Sequence, residues 1–239
     1  MEITIITSFP NMFSGFLSNY LIKRAITKKI ISIKIINLFD YCVDKRIDSR
    51  PISGGPGLIM KCQPIVNAIS KNCKKTSYKI LLSPKGKKFN EKKAIKFSKK
   101  KDITIICGRS EGFDERINNY VDESISIGDF ILTNGEIASM VVVDSVIRLI
   151  NGVISSESLL NESFNNNLLE YPQYTKPYNF NGYKVPKILY SGNHEIIKKY
   201  NRKEQLRITK KKRPDLLKKA KLDKNDMKIL KKLSKKMAE

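Results

Sequence analysis

The 239-residue sequence predicts an α/β fold built on a largely parallel sheet. Short runs of bulky, β-branched residues alternate along the first 150 residues with segments whose apolar residues recur at helical spacing, a pattern typical of parallel α/β domains. Polar, glycine-bearing loops follow the third, fourth and fifth apolar runs. In open parallel sheets ligands bind beyond the carboxyl ends of the strands, so these loops predict the site.

The elements are predicted from their apolar patterns in chain order. Strands are expected at residues 3–7, 31–38, 78–82, 103–107 and 123–127, and helices after Phe9-Pro10 and at residues 64–71, 89–100 and 136–150. The second strand carries four isoleucines, which predicts burial on both of its faces. The long polar segment at residues 40–60 holds several glycines and prolines, which indicates a shaped functional loop rather than a linker.

Residues 126–136 form the stretch around which we expect the site to be organised. A Gly-Asp turn at Gly128 and an Asn-Gly turn at Gly135 lie close together, and such turns let backbone groups approach a ligand without intervening side chains. The apolar residues of this stretch would wall the site; they are Ile127, Phe130, Ile131 and Leu132. Backbone polar groups on an apolar wall suit a purine or nucleoside, although a turn between buried segments explains the pattern about as often.

The charge balance predicts a polyanionic partner. The chain has 46 Lys+Arg against 23 Asp+Glu, a net charge of +23, which favours nucleic acid; part of the lysine excess can equally reflect compositional drift. Residues 195–239 carry 18 Lys+Arg and 6 Asp+Glu, together with leucines at helical spacing. This segment is predicted to be a small basic helical domain. The tyrosines and lysine of residues 168–178 can stack on bases or pack a domain junction.

The remaining composition argues against metal and membrane functions. The four cysteines have no metal-ligand spacing and are interpreted as reduced residues of a cytoplasmic protein, so no metal ligands are predicted. No apolar run approaches the roughly 18 residues of a membrane span. The chain enters its first strand directly after Met1, so no signal peptide is expected.

Ordered motifs along nearly the whole chain resemble the bacterial tRNA (guanine-N1)-methyltransferases, the TrmD family of the SPOUT class. They include Phe9-Pro10, Arg50-Pro51, Gly54-Gly55-Pro56-Gly57, Leu82-Ser83-Pro84, Cys107-Gly108-Arg109, Glu111-Gly112, Ser126-Ile127-Gly128-Asp129, Gly135-Glu136, Ser163-Phe164, Tyr174-Thr175 and Ser191-Gly192-Asn193-His194. The resemblance implies a deep trefoil knot in the parallel sheet and a homodimer with active sites at the subunit interface. It also implies three segments: a methyltransferase domain at 1–160, a linker at 161–177 and a tRNA-binding domain at 178–239.

The resemblance implies methyl transfer from S-adenosylmethionine to N1 of guanosine 37 in tRNA. Glu162 matches the position of the general base, where the family usually has Asp, and Arg148 matches the cation that faces the developing charge on guanine O6. The residues expected to bind the cofactor are Leu82, Ser83, Pro84, Gly86, Gly108, Glu111, Ser126, Ile127, Gly128, Asp129, Phe130, Ile131, Leu132, Gly135 and Glu170. His194 is expected to have a structural capping role. Whether Mg²⁺ takes part stays open.

Two alternative functions stay open beside this one. The first is a SPOUT methyltransferase with another RNA target, such as a ribose methylase; the match at Glu162 and Arg148 argues against it. The second is a basic RNA-binding protein without enzymatic activity.

Overall fold

A computed structural model describes residues 1–109, 111–160 and 162–235, without the side chains of Leu160 and Lys235. It divides the chain into two compact units, Met1–Ser155 and Ser156–Glu239. The predicted boundary was at residue 160, and residues 161–177, expected as a linker, are counted with the second unit.

The first unit is built on a five-stranded parallel sheet with the order β2-β1-β6-β5-β7. The strands of this unit are β1 (Glu2–Thr7), β2 (Ser32–Asn37), β3 (Asp48–Ser49), β4 (Ile59–Met60), β5 (Tyr78–Lys88), β6 (Asp102–Ile106) and β7 (Glu123–Ser126). Strands β3 and β4 form a separate antiparallel pair inside the predicted functional loop. The prediction of an α/β domain with a parallel sheet is confirmed.

Helices cover both faces of the sheet. They are α1 (Ser14–Ser18), α2 (Tyr20–Thr27), α3 (Cys62–Asn72), α4 (Glu91–Ser98) and α5 (Gly135–Ile147). Residues of α2, α4 and α5 join Ile3 and Ile5 of β1 in one core cluster, whereas residues of α3 join Ile6 in the other. Ile5 and Ile6 therefore pack into the cores on opposite faces of the sheet, because side chains alternate between the two faces along a strand.

Two strands differ from their predictions because of their neighbours in the sheet. Strand β2 is an edge strand with Ser32 and Lys34 exposed, so the prediction of burial on both faces was wrong. Strand β5 continues past residue 82, and both Leu82 and Lys87 pair with Ile125 of β7 across a register shift. A Cβ atom on Gly86 would lie 2.4 Å from the backbone nitrogen of Ile125, so only glycine permits this second approach to β7.

The second unit is mainly helical. Its elements are α6 (Ser156–Leu160), the strands β8 (Asn179–Phe180) and β9 (Tyr183–Lys184), and the helices α7 (His194–Lys212), α8 (Pro214–Leu217) and α9 (Lys224–Lys235). Leu168 is buried, and the N–H of Leu169 donates to Thr209 Oγ1 of α7 at 2.9 Å. Residues 168–169 are therefore packed against the long helix of this unit.

Candidate functional site

A cleft of about 780 Å³ opens in the first unit, where residues at and beyond the carboxyl ends of β5, β6 and β7 line it. Twelve of the predicted cofactor residues share this lining: Leu82, Ser83, Pro84, Gly108, Glu111, Ser126, Ile127, Gly128, Phe130, Ile131, Leu132 and Gly135. Gly86 and Asp129 are not part of the lining, and Glu170 belongs to the second unit. The structure thus brings together three loops that lie far apart in sequence.

The start of α5 is held tightly against the loop that follows β6. The N–H of Gly135 donates to the carbonyl oxygen of Gly108 at 2.7 Å, and a Cβ atom on Gly135 would lie 2.7 Å from the Gly108 nitrogen. In the next residue, buried Glu136 accepts a 2.5 Å hydrogen bond from Thr7 Oγ1 at the end of β1. Backbone contact and a buried hydrogen bond therefore fix this side of the cleft.

The turn after β7 is closed by hydrogen bonds with the side chain of Ser126, the last residue of that strand. Ser126 Oγ donates to the carbonyl oxygen of Gly128 at 2.9 Å and accepts from the Gly128 N–H at 3.2 Å. A Cβ atom on Gly128 would lie 2.4 Å from the ring of Phe130. Phe130 and Ile131 are 54% and 78% exposed. Exposed apolar side chains therefore lie beside this turn at the edge of the cleft.

The predicted functional loop at residues 40–60 contacts Glu111, which lines the cleft. Gly57 has a φ of +80°, and a Cβ atom there would lie 2.4 Å from Glu111 Cγ. The N–H of Glu111 donates to the carbonyl oxygen of Leu58 at 3.3 Å, and the N–H of Met60 donates to that of Gly112 at 2.9 Å. The segment at residues 57–60 is therefore tied by backbone hydrogen bonds to the loop after β6.

The cleft also contains residues that were not among the expected cofactor residues, including Arg109, Phe113, Asp114 and Asn134. The guanidinium of Arg109 lies 3.8 Å from the Asp48 carboxylate and 5.5 Å from the centre of the Phe9 ring. Hydrogen bonds from Arg116 lower the pKa of the Asp114 carboxyl to about 2. Two signals could have selected Arg109: its position beside Gly108 in a glycine-bearing loop and its place in the motif Cys107-Gly108-Arg109.

The two predicted catalytic residues lie in different units. Arg148 directly follows the last turn of α5, where it is half-buried and its N–H donates to the carbonyl oxygen of Asp144. Glu162 is half-buried in a turn of the second unit, where its carbonyl oxygen accepts from the Asn165 N–H at 3.2 Å. Phe164 in that turn has a φ of +77°. A bulky residue in the left-handed region is an outlier that points to a functional constraint.

Glu170 is held within the same part of the second unit. Its N–H donates to Ser163 Oγ at 3.0 Å, and its carboxylate accepts a hydrogen bond from the Gln173 amide. His194 is exposed in the first turn of α7, and the side chain that caps this helix is that of Asn193, which accepts from the Ile196 N–H. The expected capping role of His194 was therefore wrong.

The cysteines are free thiols, and burial raises the pKa of the Cys107 thiol far above its usual value. Within residues 1–109, 111–160 and 162–235, no three His, Cys, Asp or Glu side chains are grouped to hold a metal ion. No helix in the described part of the chain is long and apolar enough to cross a membrane.

Comparison with known proteins shows similarity over nearly the whole chain. Residues 1–219 match the family model described as tRNA (Guanine-1)-methyltransferase TrmD. The tRNA (guanine-N(1)-)-methyltransferase of Malacoplasma penetrans is 50% identical over 218 residues, covering 90% of this chain and 96% of the relative. Its counterpart in Clostridium botulinum strain Langeland is 48% identical over 99% of this chain and 100% of the relative. The tRNA (guanine-N(1)-)-methyltransferase of Dictyoglomus turgidum is 47% identical, covering 100% of this chain and 99% of the relative.

Proposed function

The chain belongs to the tRNA (guanine-1)-methyltransferase TrmD family, and from this premise we propose that it methylates N1 of guanosine 37 in tRNA with S-adenosylmethionine as methyl donor. The observation that carries the proposal is the single cleft that twelve predicted cofactor residues line beside three parallel strands. Since tRNA is the substrate, we place the enzyme in the cytoplasm.

The cleft fits S-adenosylmethionine in size and chemistry. Its volume of about 780 Å³ lies within the roughly 300–1,000 Å³ of small-molecule sites. A Cβ atom on Gly108 would lie 2.7 Å from the Phe113 ring and 3.4 Å from the Leu82 carbonyl oxygen, so any larger residue here would require the Phe113 ring to move. Leu82, Ile127 and Leu132 offer apolar contacts to an adenine, and the backbone of the loop at residues 127–132 offers hydrogen bonds. The bound cofactor supplies an electrophilic methyl group on its sulfonium.

Methylation of guanine N1 requires removal of a proton, because the neutral ring nitrogen carries one and is a poor nucleophile. We assign this step to the Glu162 carboxylate, which accepts the N1 proton while negative charge moves toward O6. Arg148 donates hydrogen bonds to O6 or an adjacent phosphate as this charge develops. The turn at Phe164 orients Glu162, whose extra methylene relative to the family's aspartate extends the carboxylate further from the backbone. The target guanine leaves the base stack to reach this site.

A second copy of the chain is proposed to complete the site. In the α5 helix, Ile137 and Val141 lie one turn apart and are 46% and 43% exposed. Neighbouring apolar side chains on an exposed helix face favour a packing partner, so we propose that this face packs in a homodimer. A deep trefoil knot is proposed from the family, in keeping with a sheet in which β6 lies between β1 and β5.

The basic second unit is proposed to bind tRNA phosphates through the +12 net charge of residues 195–239. The reaction is tested by digesting tRNA after incubation with enzyme and labelled cofactor and identifying the modified nucleoside. N1-methylguanosine supports the proposal, a ribose-methylated product would identify another RNA methyltransferase, and an unmodified tRNA would leave only RNA binding. Assays with and without Mg²⁺ show whether the cation is required.

A further inference from the structure

The second unit contains a pocket of its own, with a volume of about 310 Å³. We call it the tyrosine pocket, because four tyrosines line it together with a lysine and an asparagine. These residues are Tyr171, Tyr174, Lys176, Tyr178, Tyr190 and Asn201. Its volume lies at the lower end of the range for small-molecule sites, about 300–1,000 Å³, which suits a group the size of one nucleobase with its sugar.

The rings of the tyrosine pocket are accessible from solvent. Tyr174, Tyr178 and Tyr190 are 48%, 51% and 46% exposed. The centres of the Tyr178 and Tyr190 rings lie 4.6 Å apart with their planes inclined by 43°, so the two rings form one continuous wall. Contiguous aromatic surface that stays in contact with water is unusual in a folded protein and indicates a binding partner.

The wall is built on a short, stiff scaffold. Strands β8 and β9 are joined by Asn181 and Gly182, with φ angles of +50° and +87°, the left-handed pair that a tight two-residue hairpin requires. The N–H of Val185 donates to the carbonyl oxygen of Tyr178 at 2.9 Å, and a 3₁₀ helix at Lys187–Tyr190 carries the second ring. Rings held in this way lose little freedom when a ligand stacks on them.

Polar groups of the tyrosine pocket match a nucleotide. Within the described residues, the amide of Asn201 and the ammonium of Lys176 have no hydrogen-bond or ion-pair partner. An amide both donates and accepts hydrogen bonds, as recognition of a base edge requires, and a lysine can contact the phosphate. The segment 195–239, which contains Asn201, has a net charge of +12. The pocket therefore combines an aromatic wall, the unpartnered amide of Asn201 and a positively charged segment. Together these features fit single-stranded nucleic acid.

We propose that the tyrosine pocket binds an unpaired nucleobase of the tRNA other than the guanine that is methylated. The inference rests on the proposed function for its tRNA, and it assigns the pocket an anchoring role, since no predicted catalytic residue lies in it. Stacking on aromatic rings tolerates any base, so the contribution is to affinity and positioning rather than to sequence selection.

The chain has no tryptophan, so the variant Tyr178→Trp introduces a unique fluorophore into the wall. Titration with tRNA should quench its emission at the concentrations at which tRNA binds the wild-type enzyme. In a second variant, Tyr178→Leu keeps apolar bulk and removes the aromatic face. It should weaken tRNA binding by about 5- to 100-fold with the salt slope unchanged, while Lys176→Gln should reduce that slope by about one.

The matched controls are Tyr120→Trp and Tyr120→Leu, because Tyr120 is 50% exposed in the first unit and lies outside its cleft. The proposal would be overturned if tRNA did not quench the emission of Tyr178→Trp, or if a folded Tyr178→Leu enzyme bound tRNA with unchanged affinity. Either result leaves the proposed function intact as long as the wild type still transfers the methyl group. A fluorescence change that follows protein concentration without RNA would assign the pocket to a second copy of the chain and would also overturn it. Loss of wild-type methyl transfer would instead refute the proposed function.

Discussion

The N–H of Gly135 donates a 2.7 Å hydrogen bond to the carbonyl oxygen of Gly108, joining the first residue of α5 to the loop beyond β6. Arg109 and Asn134 flank this bond as an antiparallel bridge. A Cβ atom on Gly135 would lie 2.7 Å from the Gly108 nitrogen and 3.0 Å from Cys107 Cα. Because these atoms belong to the backbone, they cannot move aside as the tip of a flexible side chain can.

Gly135→Ala should therefore open the cleft and weaken the binding of S-adenosylmethionine. We expect a loss of about 1–3 kcal/mol in unfolding free energy from overpacking and about tenfold or more in cofactor affinity from the displaced hydrogen bond. Thermal unfolding and calorimetry with the cofactor measure both. The control is Gly15→Ala, since nothing lies within 4 Å of a Cβ atom there; equal behaviour of the two variants would refute the role of Gly135.

Glu162→Gln should slow methyl transfer and leave cofactor affinity almost unchanged. The substitution keeps the size of the side chain and removes its basicity, so the single-turnover rate should fall by roughly 10² to 10⁴. Glu162→Asp tests whether the turn at Phe164 is adapted to the longer side chain, in which case aspartate is slower than glutamate. The control is Glu157→Gln, an exposed acid of the same unit. A near-normal rate for Glu162→Gln would transfer the assignment to Glu170.

Arg148→Ala should cost about 10² to 10³ in rate if the guanidinium stabilises charge on O6. The proposed mechanism has Glu162 and Arg148 act on one transition state, so the losses in the double variant should be smaller than the product of the single losses. Fully multiplicative losses would show that the two residues act independently.

Asp226→Asn should destabilise the second unit by about 2–4 kcal/mol. Asp226 is buried and accepts hydrogen bonds from Arg202 at 2.8 and 2.6 Å, and the Arg202 guanidinium lowers the pKa of its carboxyl. The stability from this pair is therefore fully present above the ordinary aspartate pKa of about 3.9 and is lost as pH falls through the lower folded value.

Thermal unfolding between pH 7 and pH 2 tests the role of Asp226, because the gap between wild type and Asp226→Asn should close in acid. Asp215→Asn is the comparison, since Asp215 forms an exposed ion pair with Arg213 and should matter little. Equal effects of the two substitutions would argue against Asp226 as a structural residue.

The basic second unit should make tRNA binding steeply dependent on salt. If six or more phosphates are neutralised, affinity should fall by about 10³ or more between 50 and 200 mM salt. Lys199→Gln and Lys203→Gln, one turn apart and exposed on α7, should each reduce the slope by about one. Lys23→Gln on α2 is the control. A flat salt dependence would show that the lysine excess is compositional drift.

Local patterns were sufficient to predict much of the first unit. Short apolar runs that alternate with helical patterns predicted all five strands of the sheet, because this alternation can be read from the local sequence. The glycine-bearing loops after the third, fourth and fifth strands predicted where the cleft lies. Gly135 is required there because a Cβ atom would meet backbone atoms of Cys107 and Gly108, whereas a Cβ atom on Gly108 would meet the Phe113 ring. The family resemblance, rather than a local pattern, predicted that Ser83 and Glu111 belong to the cofactor site.

The features that were missed depend on contacts between distant segments. Exposure of Lys34 follows from the edge position of β2, and the extension of β5 follows from its second pairing with β7. Arg109 enters the site through its position between Asp48 and Phe9. The packing of Leu168 and Leu169 in the second unit depends on α7, and a polar, asparagine-rich segment gives little local indication of it.

The most direct test of the central claim is methyl transfer to a pair of tRNA transcripts that differ only in carrying G or A at position 37. With enzyme in excess and S-adenosylmethionine saturating, the G37 transcript should acquire one N1-methylguanosine per molecule and the A37 transcript none. Methylation of the two transcripts to the same extent, or of neither, would contradict the proposal that this chain methylates guanosine 37.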